Sequence, residues 1–516
     1  MNRKETNRQL FETDSRKDNL KEKSVRSGIF TMFCQAIESF LRIGSIMILA
    51  RILVPEYFGL IGMVTAIISV AEQFKDLGLS TATIQQKNIT HEQVSNLFWI
   101  NVMVGFFLMV LISSVSFLIA GFYKEQRLIY ITIALSTGFF WGSMTIQHQA
   151  ILQRQMKLAT IGVIQIGSTA ISTGIAILLA VEGYGYWALV WREVLRSLII
   201  AVSTWICCPW KPGFPKRHVK IDHLLRFGRH IAGFNLIGFF AVSVDQILIG
   251  KFYGAAQLGI YRQAYYLIFF PITQLVQPVG RITEPALSFL QDDTERYKKY
   301  YRKMLTTLNF VIMPLTLFLA IYAHDVILVI LGEKWIETTD IFRILAIAAF
   351  IRPASDSTNS LLITCGYTKR YFNLGLVSSA ILVLSFIIGA PWGALGVAYG
   401  YLAATYILLV PRLCCSFKRT PVNVRTFFKA IEKPLIASIA MMIVLLVLNK
   451  LVIINNSLLL LTISLPVALF TYFLAWMIIP DGRENLREIT YDLITPLHLD
   501  KFVVLISSHR KKVKVA

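Results

Sequence analysis

Gln35, Glu38 and Arg42 stand inside the first long apolar stretch of this chain. Their spacing of three and four puts all three on one face of a helix, with Glu38 and Arg42 a turn apart, where opposite charges pair. A later apolar stretch carries Arg192, Glu193 and Arg196. Arg192 and Arg196 share a face, and one glutamate cannot neutralise both. Asp245, Arg262, Arg343 and Arg352 with Asp356 follow in similar surroundings. An ionisable group at the centre of a bilayer costs at least ~2.5–3.5 kcal/mol, so such groups pair with each other or line a hydrated interior. The arginines Arg42, Arg192, Arg196, Arg262, Arg343 and Arg352 outnumber the acids Glu38, Glu193, Asp245 and Asp356. Guanidinium makes two parallel bonds to a phosphate, so the excess points to a cavity for a phosphate- or pyrophosphate-bearing substrate. Glu38 and Asp245 would tune its charge or couple to an ion. Tyr261 and Tyr265 would stack on sugars or anchor at the membrane interface.

The elements that must hold these groups are membrane helices. The chain has 516 residues, 55% hydrophobic and 16% charged, with a mean hydropathy of +0.60; soluble domains carry roughly 25% charged residues. Apolar runs near the length needed to cross a bilayer recur to the end of the chain. Fourteen spans are predicted, at 28–50, 58–74, 95–121, 128–148, 158–181, 186–206, 228–250, 260–281, 304–323, 341–363, 371–391, 394–413, 434–452 and 458–479. The expected organisation is a cytoplasmic tail (1–27), a first six-helix lobe (28–206), a cytoplasmic linker (207–227) and a second lobe (228–413). A cytoplasmic loop (414–433), two further helices (434–480), expected to be peripheral, and a basic cytoplasmic tail (481–516) complete it. The net charge of +21 falls mainly on loops of one parity, including Lys216, Arg217, Lys298, Lys299, Lys418 and Arg419. The positive-inside rule then sets both termini in the cytoplasm and accounts for the charge without nucleic acid. No cleavable signal sequence is expected, because residues 1–27 are polar. The segment 324–340 looks like an interfacial amphipathic helix closed by Gly332 and anchored by Trp335.

The first stretch has an echo. RILVPEYFGLIG at 51–62 and GKFYGAAQLGIY at 250–261 align at an offset of 200, so that Arg51 meets Lys251 and Gly59 meets Gly259. GYGYWALVW at 183–191 resembles GALGVAYGY at 393–401. Six spans separate the first copies from the second, so the two halves are parallel repeats. In the echo Glu38 and Arg42 face Gly238 and Val242: the turn was kept in both copies and the charge was not.

No catalytic constellation, nucleotide motif or metal pattern occurs. Cys207–Cys208 and Cys414–Cys415 are adjacent pairs at the inner ends of spans, and no large external loop exists that could carry catalysis. The chain is therefore not expected to be an enzyme or to hold a cofactor; energy would come from an ion gradient, H+ or Na+, or from the substrate's own disequilibrium.

The stretch SGIFTMFCQAIESFLRIGSIMILARILVPEYFGLIGMV followed by FKDLGLSTATIQQ, then GYWALVW before the sixth span and LGEKW at 331–335, resembles the polysaccharide-transporter branch of the multidrug/oligosaccharidyl-lipid/polysaccharide exporter superfamily. The resemblance covers nearly all of 25–480. It implies a flippase of the bacterial inner membrane that carries undecaprenyl-pyrophosphate-linked oligosaccharide repeat units outward for O-antigen, capsule or exopolysaccharide assembly. It also implies two six-helix lobes around a V-shaped cavity with alternating access. Polysaccharide polymerase and chain-length machinery are the partners it suggests, beside membrane lipids. A cationic-cavity role carries over by resemblance to Arg42, Arg196 and Arg262; Arg192, Arg343 and Arg352 rest on the reading of the residues. Two alternatives stand beside it. A multidrug/cation antiporter of the same superfamily would have acids in excess, and a membrane enzyme of glycan assembly would need an external catalytic loop or a paired acidic motif.

Overall fold

The computed structural model describes residues 20–86, 89–216, 222–451 and 454–494. The expected tails at 1–19 and 495–516, and residues 217–221 of the expected linker, lie outside the described residues. No strand occurs among the described residues, in keeping with apolar runs that must satisfy their own N–H and C=O groups in lipid. Nine segments among them are long and apolar enough to cross a membrane. Each of the fourteen predicted stretches overlaps a helix, though Tyr186–Cys207, with Arg192, Glu193 and Arg196, is not among the nine.

Packing divides the chain into two compact units. One comprises the described parts of Met1–Leu53, Val64–Leu236 and Thr490–Ala516, and the other Val54–Met63 with Ile237–Ile489. The first unit holds α1 (Leu20–Ile52), most of α2 (Pro55–Asp76), α3 (Leu79–Gln85), α4 (His91–Tyr123), α5 (Leu128–Arg154), α6 (Leu158–Val181) and α7 (Tyr186–Cys207). Here α4 packs on α5, α5 on α7, α6 on α7, and α1 on α6. The second unit holds most of α8 (Asp222–Phe289), then α9 (Thr294–Ile321), α10 (Ala323–Ile330), α11 (Thr338–Phe350), α12 (Arg352–Thr364), α13 (Thr368–Gly389) and α14 (Gly393–Phe417). Here α9 packs on α11, α11 and α12 on α14, and α13 on α14. Matched span for span, third with fourth, fourth with sixth and fifth with sixth are neighbours in both units, as a duplicated six-helix design produces, while the α1–α6 packing belongs to the first unit.

One end of the first unit is held by side chains that reach backbone. The predicted loop 75–94 contains α3, set off by a turn in which Leu77 and Gly78 both have positive φ (51° and 71°). Arg154 Nη1 donates to the carbonyls of Thr83 and Gln86 at 2.9 and 2.6 Å. Thr83 donates to Gln147 (2.7 Å), which donates to Asn101 (2.8 Å). Thr90 and Gln93 form a capping box at the start of α4, the reciprocal arrangement that satisfies two orphan N–H groups. The first residues of the expected linker are strapped to the same turns. Asn96 exchanges two bonds with the Lys216 backbone at 2.8 and 2.9 Å, and Trp99 donates to Gly213 at 2.8 Å. Lys216 also pairs with Glu92, whose carboxyl it holds below the usual carboxylate range.

One expectation changes in the second unit. Trp335, expected at the membrane interface, is fully buried and meets Phe58 edge to face at 5.2 Å. The segment around it is a short α10, a turn at Gly332 (φ 93°) and one 3-10 turn, so the indole fills a core rather than marking the lipid boundary. The last two spans, α15 (Val424–Leu451) and α16 (Ser457–Ile478), leave most of α16 exposed, yet specific contacts anchor them to the second unit. Phe427, Ala430 and Ile431 of α15 share a core with Tyr297, Tyr301 and Leu305 of α9, and Tyr472 of α16 donates to the Phe310 carbonyl at 2.8 Å.

The echo of the opening stretch is a physical crossing. α8 breaks at Gly254 (φ 81°), the position matching Val54, where α1 gives way to α2. A Cβ on Gly59 would fall 1.7 Å from the Ala255 carbonyl oxygen, and a Cβ on Gly259 would fall 2.0 Å from the Pro55 carbonyl oxygen. Pro55 and Ala255 are themselves equivalent in the repeat, so the contact is reciprocal: each copy's glycine sits on the other copy's helix start. Overpacking at such a site typically costs about 1–3 kcal/mol. Gly59→Ala and Gly259→Ala are each expected to lower the melting temperature of the detergent-solubilised protein, whereas Gly44→Ala and Gly167→Ala, which meet open space, should leave it nearly unchanged. Equal melting of all four would refute the close crossing.

Candidate functional site

The first unit gathers three of the predicted arginines. Arg42 on α1 donates through Nε and Nη2 to Glu38 Oε1 at 3.0 and 2.7 Å, the i,i+4 pair expected from the spacing. Arg196 on α7 brings its Nη2 to 3.6 Å from the same oxygen. One turn away Arg192 donates to Glu193 at 3.2 and 2.7 Å, and its Nη1 reaches the buried Ser45 of α1 at 3.4 Å. Thr173 of α6 also meets Ser45, at 3.3 Å. These contacts follow from the packing of α6 against both α1 and α7. Three guanidiniums thus share two carboxylates, and all three remain part-exposed, with side-chain accessibilities of 35% for Arg42, 24% for Arg192 and 28% for Arg196.

The second unit holds a different kind of cluster. Asp245 is buried and accepts from Tyr261 Oη and from the Gln246 backbone N–H, both at 2.8 Å. Tyr261 is itself fully buried. Its predicted choice between sugar stacking and interface anchoring is therefore replaced by a third role, donor to a buried carboxylate. Tyr265 packs on Phe269 (4.4 Å) and against Tyr401 (6.3 Å). Arg352 lies over the Phe269 ring at 4.5 Å, donates to Tyr401 Oη at 3.2 Å and pairs with Asp356 at 3.4 Å. Cation–π contact and an ion pair are two ways an arginine is accommodated in apolar surroundings.

The remaining predicted residues stand apart from these groups. The stem of Arg262 covers Gly62, whose Cβ would lie 3.2 Å from Arg262 Cδ. Arg343 is exposed and pairs with Asp340, one turn earlier on its own helix, at 3.1 Å; it joins neither cluster. Three partners went unnoticed in the sequence. Ser45 carries no signal in the sequence beyond standing 200 positions before Asp245, the offset of the echo. Tyr401 was visible only as the last letter of the second echo. Arg412, which donates to Ser355 at 2.8 Å and Ser378 at 3.2 Å, follows Pro411 near the end of a predicted span and ties α12, α13 and α14 together.

A family model described as "Polysaccharide biosynthesis protein" matches residues 48–340. The lipopolysaccharide biosynthesis protein WzxC of Escherichia coli (strain K12) is 24% identical over 83% of this chain and 89% of its own. The teichuronic acid biosynthesis protein TuaB of Bacillus subtilis (strain 168) is 27% identical over 72% of this chain and 77% of its own. Among solved structures, the lipid II flippase MurJ in an inward closed conformation superposes with a TM-score of 0.73 at 16% identity, covering 90% of this chain and all of that one. The fold is thus that of a polytopic helical transporter.

Removing the hydroxyl of Tyr261 would leave Asp245 without its side-chain donor. A buried polar group left unsatisfied costs about 1–3 kcal/mol. Tyr261→Phe should therefore lower the melting temperature clearly, and Asp245→Asn, which keeps an acceptor and removes the charge, should cost less. A Tyr261→Phe protein as stable as the parent would show that the hydroxyl does not hold the carboxylate.

Proposed function

Because the chain belongs to the polysaccharide biosynthesis protein family, we propose that it is a flippase. It moves undecaprenyl-pyrophosphate-linked oligosaccharide repeat units across the bacterial inner membrane, for O-antigen, capsule or exopolysaccharide assembly, by alternating access. The observation that carries this is the cluster of the first unit, where three guanidiniums, of Arg42, Arg192 and Arg196, converge on two carboxylates, of Glu38 and Glu193. A pyrophosphate brings the missing anion in the form guanidinium binds best. An exporter of cations would need the opposite balance. The names of relatives that act in lipopolysaccharide and teichuronic acid biosynthesis, and the fold shared with a lipid II flippase, support a polyprenyl-linked glycan as cargo.

On this reading the protein is a transporter rather than an enzyme. Arg42, Arg192 and Arg196 hold the pyrophosphate, while Arg262, Arg343 and Arg352 contribute positive potential. A coupling ion, H+ or Na+, acts through Glu38 or Asp245. Polysaccharide polymerase and chain-length machinery receive the product, and both termini face the cytoplasm.

The test is complementation in a bacterial strain lacking its own flippase, with lipid-linked repeat units followed across the membrane. Arg196→Ala should reduce flipping by at least about tenfold at equal protein level, the effect of losing roughly 1.4 kcal/mol of phosphate binding. Arg196→Lys should retain an intermediate rate, because lysine keeps the charge and loses the fork. Units reaching the outer leaflet equally well without the protein would refute the assignment, and full activity with Arg196→Ala would remove the arginine cluster from it.

A further inference from the structure

Glu38 occupies an unusual position within the arginine cluster. A single oxygen, Oε1, receives both bonds from Arg42 and faces Arg196 Nη2 from another helix. The Arg42 pair alone would satisfy a carboxylate on its own helix, as i,i+4 pairs do. Arg196 is different. Among the described residues it makes no hydrogen bond, and its approach to Glu38 is a 3.6 Å ion pair. Its Nη2 thus stands 3.6 Å from an anionic oxygen without a hydrogen bond to it, and its side chain is 28% exposed. A purely structural salt bridge in a bilayer would be expected to close that gap, because partly satisfied charge is costly there.

Resting on the proposal that these arginines take up the substrate's pyrophosphate, we infer that Glu38 is an internal counter-anion that stands in for a phosphate oxygen when the site is empty. It holds Arg42 and Arg196 facing one point, and it gives way when the substrate arrives. Substrate binding is then an exchange of one anion for another. The cluster never presents bare positive charge to the bilayer, and affinity is kept low enough for release on the other side, since each arginine–phosphate contact is offset by a lost arginine–carboxylate contact. A transport site needs that moderation, because a ligand bound too tightly does not leave. Glu38 is thus a residue that positions the arginines and sets affinity, rather than a group that contacts the cargo.

The experiment titrates inorganic pyrophosphate into the full-length protein in detergent, by calorimetry and by its effect on melting temperature. Glu38→Gln removes the competing charge, and pyrophosphate should bind about tenfold more tightly than to the parent, for a competing pair of roughly 1.4 kcal/mol. Flipping of lipid-linked units by the same variant should fall, because release slows. Glu38→Asp keeps the charge and should bind close to the parent. Where Glu38→Gln is less stable, pyrophosphate should raise its melting temperature more than the parent's, since a ligand stabilises in proportion to its affinity; a merely structural carboxylate would not produce that rescue. Unchanged or weaker pyrophosphate binding by Glu38→Gln, while Arg42→Ala and Arg196→Ala abolish it, overturns the counter-anion role and leaves the arginine site standing. Parent-like binding by both arginine variants removes the site itself, and the inference with it.

Discussion

A guanidinium in a hydrocarbon layer cannot stand alone, and much of this molecule is arranged around that constraint. Placing an arginine in a span is expensive on every scale, so each arginine described within the helical bundle comes with something to face. Arg42, Arg192 and Arg196 face carboxylates and the buried Ser45. Arg352 faces an aromatic ring, a phenol and an aspartate, and Arg412 faces two serines. These needs decide which helices adjoin. α7 must lie within reach of α1 for Glu38 to serve two arginines, and α6 must bridge them for Thr173 to complete the Ser45 contact.

Beneath these local solutions lies a duplicated scaffold. The close approach of Gly59 to Ala255 and of Gly259 to Pro55 is an arrangement in which equivalent residues exchange equivalent contacts. That requires glycine at both positions, for any Cβ would enter a carbonyl. The neighbour pattern of third with fourth, fourth with sixth and fifth with sixth spans recurs in both units. What differs is the chemistry laid on the scaffold. In the echo Gly238 and Val242 stand where Glu38 and Arg42 stand in the first copy. The second unit meets its charges with rings instead: Phe269, Tyr265 and Tyr401 surround Arg352.

How much of this was legible in the sequence follows from which interactions are local. Apolar runs, the offset of 200 and the Glu38–Arg42 pair depend on residues close in sequence or on repetition, and they were readable. Whether Trp335 meets lipid or core depends on how α2 and the 324–340 segment meet, and nothing in LGEKW encodes that. Tyr261 could be placed at a helix start, yet its bond to Asp245 joins residues sixteen positions apart across the break at Gly254. A face inferred from spacing is also only relative: the i,i+4 rule placed Arg192 and Arg196 together but could not say that Glu38 would stand before Arg196. Arg343 shows the reverse. Its apolar neighbours suggested an inward arginine, whereas Asp340 one turn away and an exposed helix edge suffice for it.

The two clusters therefore call for different readings despite similar residue types. In the cluster of the second unit Asp245 is met by a phenol and an amide, and Arg352 by a phenol and a carboxylate. Such a network specifies a conformation, because every member is satisfied and displacing one orphans another. In the first unit three guanidiniums converge on two carboxylates, and Arg196 stands 3.6 Å from Glu38 Oε1 without a hydrogen bond to it. A charge deficit in low dielectric is an energetic penalty unless something removes it periodically. On the proposed function the cargo's own anion would relieve that penalty at the cluster of the first unit, while the network of the second unit holds Asp245 and Arg352 in place for the ion coupling and positive potential proposed for them.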